Sequence, residues 1–121
     1  MLTGAHTIIF AEDAGKAREF LRDVLKLPAV DAGEGWLIMG LPPGEVACHP
    51  CDDDQAPGTH ALYLMCDDIQ KTMADLKAKG VEFTSPAADR GWGILTNFKI
   101  PGAGEIGLYQ PRHARPPQFK A

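Results

Sequence analysis

The chain has 121 residues, 45% of them hydrophobic and 23% charged, with a net charge of −4 at pH 7. That length bounds a single domain, 1–121, and the composition suits a packed core rather than a disordered chain. The acidic balance excludes a phosphate-backbone partner, and the apolar runs are too short for a bilayer span; with no basic region and long apolar run of a secretory signal, a cytoplasmic setting is the default expectation.

In chain order, "GAHTIIFA" (4–11) is almost continuously apolar and predicts a strand covered on both faces. Asp13 can cap a helix over Ala14 to Lys26, with Ala17, Phe20, Leu21, Val24 and Leu25 on one face and Pro28 limiting its extension. A short strand around Ala29 to Asp31 follows, then a "GEG" turn, a strand "WLIMGL", a "PPG" turn and a strand "EVACH". The second half opens with the strand "THALYLMC". Asp67 or Asp68 can cap a helix from Ile69 to Lys79, where Ile69, Met73 and Leu76 form the apolar stripe and Gly80 stops it. Strands "VEFTS", "WGILTNFKI" and, after a "PGAGE" turn, "IGLYQ" complete it, and the tail to residue 121, with three prolines, is expected to be irregular.

Both halves therefore read βαβββ. The first strands also echo each other: His6 matches His60, Ile8 matches Leu62, Phe10 matches Leu64 and Asp13 matches Asp67. A resemblance between strand–helix pairs is common, but agreement of the whole order favours a duplication, with modules at about 4–50 and 58–111 and a tail at 112–121. Two such modules, each opening on a histidine-bearing strand, resemble the vicinal oxygen chelate superfamily, which includes glyoxalase I, extradiol dioxygenases, fosfomycin-modifying enzymes and bleomycin-sequestering proteins. The resemblance covers residues 4–111. It implies an α+β fold of two βαβββ modules in tandem, whose curled mixed sheets form a cup-shaped site within one chain or across a dimer. A homodimer is the expected assembly.

The resemblance also implies metal ligands on the first and last strands of each module. The first-strand positions fall on His6 and His60, and imidazole suits zinc, iron, nickel or manganese. The last strand departs from the pattern. Where family enzymes often end in a carboxylate within a segment like "IELIEP", this chain has "IGLYQP", so the position falls on Gly107; in the first module it falls on Val46. Two histidines alone make a weak site, because a catalytic metal normally has three or more protein ligands. Glu105, two residues before Gly107, could substitute after a register shift, and Glu45 and His49 are further candidates on the fourth strand. "CHPC" at Cys48 to Cys51 lacks a second zinc-spaced pair. Cys66 stands alone, and the three cysteines predict reduced thiols without a disulfide framework.

The expected lining is apolar and aromatic: Phe10, Leu62, Trp92, Phe98, Gly107 and Tyr109. Gly107 and Tyr109 share a face, so the missing carboxylate should leave space beside a phenol. Trp92 between two glycines, with Phe98, could stack a flat ligand, and Arg90 could meet an anionic group; the plain alternative is that both rings are ordinary core. Three functions follow. One is a glyoxalase- or dioxygenase-like enzyme whose divalent metal, held by His6, His60 and Glu105, polarises neighbouring substrate oxygens. Another is a metal-free protein that sequesters an aromatic or drug-like compound. The third is an apolar cup serving only as a dimer interface.

Overall fold

The protein is described from a computed structural model, which covers residues 7, 9, 11–45, 47, 56, 60–114 and 117. The expected strands 4–11 and 45–49 lie largely outside these residues. Asp13 starts the first helix, α1 (Ala14–Glu19), by accepting a hydrogen bond from Lys16 N at 3.0 Å. The helix then loosens into a π turn over Phe20–Val24, closed by Leu25 N donating to Phe20 O. Its apolar face is the expected one, with Ala17 and Phe20 buried and Leu21, Val24 and Leu25 partly so.

Strands β1 (Ala29–Asp31) and β2 (Leu37–Met39) form a separate antiparallel pair. The Asp31 carboxylate organises their turn by accepting from Gly33 N and Gly35 N. The remaining strands, β3 (Tyr63–Met65), β4 (Ala88–Asp89), β5 (Gly93–Ile100) and β6 (Gly104–Pro111), form one mixed sheet in the order β3-β6-β5-β4. Helix α2 (Ile69–Ala78) follows β3 and is capped by Asp68, which accepts from Lys71 N at 3.1 Å. The "VEFTS" strand reduces to a single bridge, Phe83 to Phe98. Among the described residues neither sheet closes, and the fold is α+β.

Period-two alternation divides the four-stranded sheet into two faces. Ile106 and Leu108 of β6, with Thr96, Phe98 and Ile100 of β5, turn toward the helices and join Phe20, Ile69, Met73 and Leu76 in the core. Thr96 is the buried polar residue there, and its hydroxyl donates to Ser85 O at 2.7 Å. The opposite face carries Glu105, Gly107 and Tyr109 of β6. Across the ladders they meet Lys99, Asn97 and Leu95 of β5 and Tyr63 and Met65 of β3. The sheet thus has a helix-backed side and a side left for the site.

Candidate functional site

Tyr109 is the centre of that second face. Its hydroxyl donates to Glu45 Oε1 at 2.9 Å and lies 3.1 Å from His113 Nε2, while Nε2 and Oε1 are 3.5 Å apart. The His113 ring stacks on the phenol with centroids 6.0 Å apart, and its Nδ1 lies 2.8 Å from Ala114 O. Tyr63 and Trp92 meet the same phenol edge-on, at 5.9 and 6.0 Å. The Glu45 side chain is only 15% exposed, whereas Tyr63 and Trp92 remain 42% and 47% exposed. A shielded carboxylate, a phenol and an imidazole therefore sit at the back of two accessible rings.

Two glycines let the rings approach. A Cβ on Gly93 would come within 3.1 Å of the Tyr109 ring. A Cβ on Gly107 would fall inside the Tyr63 ring, 2.9 Å from Cγ and closer still to Cδ1 and Cε1. The space expected beside Gly107 is thus filled by Tyr63. Parallel pairing explains it: Tyr63 is the register partner of Gly107, and its ring lies across this glycine in the middle of β6.

The expected site residues divide sharply. Trp92, Gly107 and Tyr109 come together. Phe98 does not: it is 0% exposed, packed between Phe20 and Phe83 on the helix-backed side. Leu62 also packs against the core, because it shares the parity of Leu64 rather than of Tyr63 and Met65. His60 is exposed ahead of β3 and has that same parity. Glu105 is exposed at the start of β6, paired across the ladder with Lys99 and two pleats from Tyr109. It borders a shallow open recess of about 620 Å³ at the β5–β6 turn, away from the aromatic cluster. His6, Phe10, Val46, Cys48, His49 and Cys51 lie outside the described residues. Cys66 is half-buried, and burial pushes its thiol up from the ordinary value, which makes it a poor nucleophile.

Tyr63 and His113 are the members of the cluster that no sequence pattern marked, whereas Glu45, a further candidate ligand on the fourth strand, lies here against the Tyr109 hydroxyl. His113 stands in the Pro-rich tail, where no periodicity marks it. Its signal is the backbone: Arg112 N and His113 N both donate to Trp92 O and hold the tail on the turn before β5.

A divalent metal of the kind found in the superfamily does not fit the described residues. No group of three or more His, Cys, Asp or Glu among them could hold an ion, and the last-strand ligand position is a glycine roofed by a phenol ring. A carboxylate there would have to displace Tyr63.

The comparisons agree with this fold. The family model of the Glyoxalase/Bleomycin resistance protein/Dioxygenase superfamily matches residues 4–102, and the chain belongs to that superfamily. No curated protein matches the sequence. Among solved structures, the chain is similar to TnmS3, an antibiotic binding protein from Streptomyces sp. CB03234. The two are 25% identical, with a TM-score of 0.61, over 92% of this chain and 99% of that one. A superfamily member from Sphaerobacter thermophilus gives 25% identity and a TM-score of 0.62 over 90% and 98%. A lactoylglutathione lyase from Agrobacterium tumefaciens, 15% identical with a TM-score of 0.60 over 89% and 96%, shares the fold.

Proposed function

We propose that this protein binds a planar aromatic small molecule, sequestering it without a metal. The observation that carries the reading is the Tyr63 ring over Gly107: it occupies the place of the family's last-strand ligand and builds an accessible aromatic wall with Trp92. A flat ligand stacking on these rings would gain apolar burial and quadrupole attraction, and the Glu45–Tyr109–His113 cluster would fix its polar end. The similarity to an antibiotic binding protein supports the same class.

The test uses chelator-treated protein and tryptophan fluorescence in a Trp36→Phe background, titrated with polycyclic aromatic compounds. Saturable quenching is expected, unchanged by EDTA, and Trp92→Ala, read by calorimetry because that chain would hold no tryptophan, should weaken binding about tenfold. The competing reading is a metal-dependent lyase or dioxygenase using His6, His60 and Glu105. Purified protein carrying stoichiometric zinc, iron, nickel or manganese, lost on replacing His6 or His60, would establish that instead.

A homodimer is part of this proposal. Val30 and Ile38 are register partners on one face of the β1–β2 pair and both are exposed, as are Trp36 and Leu41. Such an apolar group on a small domain supports contact with a second copy.

A further inference from the structure

Trp92 is nearly half exposed, and its ring meets Tyr109 edge-on, with centroids 6.0 Å apart. Side-chain packing therefore constrains the indole weakly. Its sequence neighbours add no stiffness of their own: Gly91 takes φ +84°, and Gly93 is a second glycine. A ring on which a ligand stacks needs a further restraint, and the backbone supplies it.

That restraint comes from the segment after β6. Arg112 N and His113 N both donate to Trp92 O, at 2.9 and 3.1 Å. The Arg112 guanidinium donates to Asp89 Oδ2, while Asp89 Oδ1 accepts from Gly91 N at 2.9 Å. Arg90 N donates to Gly93 O at 2.9 Å and closes the turn from within. The turn around Trp92 is thus tied to one strap, residues 112–113, which continues β6 past the pairing of Pro111 with Gly93.

We propose that this strap sets Trp92 for its ligand, with Arg112 acting through Asp89 as a positioning residue; this rests on the reading of the Tyr109 face as a small-molecule site. The Arg112–Asp89 pair is exposed on both sides, so it adds little to global stability. Its effect is local. A turn already held in one shape loses less freedom when a flat molecule stacks on its tryptophan, and only the strapped fraction of molecules is ready to bind. Linkage makes the coupling mutual: a ligand that prefers the strapped state must also tighten the strap.

The probe is acridine at pH 7.5, followed by calorimetry. Arg112→Ala should weaken binding about fivefold with little change in melting temperature, and Arg112→Lys, which keeps the charge, should fall between it and the wild type. Asp89→Ala, which also frees Gly91 N, should weaken binding at least as much, and the double variant no further, because both act through one contact. In a Trp36→Phe background Trp92 is the sole tryptophan, and its fluorescence anisotropy without ligand should fall on adding Arg112→Ala. With acridine at about ten times its Kd, the wild-type Arg112 and His113 amides should exchange about tenfold more slowly. The Gly33 and Gly35 amides, held by Asp31 in the separate β1–β2 pair, should keep their rates. Additive losses, or a silent Asp89→Ala, would mean that Arg112 touches the ligand itself and would overturn the positioning role. Unchanged anisotropy or unchanged amide exchange would overturn it too. A wild type that binds no acridine instead overturns the small-molecule reading, and the strap's part in binding falls with it.

Discussion

Gly107 decides what the open face of the sheet can be. A methyl group there would penetrate the Tyr63 ring, so even Gly107→Ala must push that ring off β6 or distort the ladder. We expect Gly107→Ala to cost about 1–3 kcal/mol in urea unfolding, with little change in the slope. Tyr63→Ala in the same chain should recover most of that loss, because the two positions share one contact. Additive losses would show that the ring does not rest on Gly107. The glycine itself was readable from sequence as a departure from a carboxylate-bearing ending. Its roof was not. Parity within a strand gives a residue's face, but which ring covers a gap depends on the register of two strands 44 positions apart, 63 against 107. Parity also put Leu62 on the face of Leu64 without saying that the helices would cover it, and Phe98, expected beside Trp92 with ordinary core as the alternative, is core.

Among the elements, the helices were the most legible, because Asp13 and Asp68 are strong local caps and the apolar stripes are periodic. β5 and β6 were legible as the apolar segments "WGILTNFKI" and "IGLYQ" on either side of the "PGAGE" turn. β4 has only two residues and no signal, and the tail beyond β6 has none either, yet the two are joined. Arg112 donates to the Asp89 carboxylate, which also accepts from Gly91 N, and this latch holds the turn that carries Trp92. The Gly91 N–H first, and Arg112 with it, keep the Asp89 carboxyl below its ordinary value. The sign follows: the fold favours the ionised form, so the stabilisation is present above the usual carboxylate range, about pH 3.9, and is lost as pH falls through the depressed folded value. Wild type and Asp89→Asn should therefore differ most near neutrality and converge in acid, followed by urea melts from pH 7 to pH 2. Parallel curves would mean that the carboxylate does not secure the turn.

At the scale of the molecule, the β1–β2 pair stands apart from the main sheet and exposes Val30, Trp36, Ile38 and Leu41, and no helix among the described residues is long and apolar enough to cross a membrane. Light scattering behind size exclusion should find a homodimer, and Trp36→Glu should give a monomer with its helices intact by circular dichroism. A wild-type monomer at tens of micromolar would remove the dimer from the proposal. The strand order has a different consequence, in time rather than space. β5 and β6 are joined by the three residues 101–103, whereas β3 reaches β6 only after the 38 residues between Met65 and Gly104. Closing the longer loop costs about 2 kcal/mol more in chain entropy, and parallel pairing returns it late. The β5–β6 hairpin is accordingly the seed on which the rest condenses. Tyr63 can settle over Gly107 only once β6 is in place, so the aromatic wall assembles after the hairpin on which it rests.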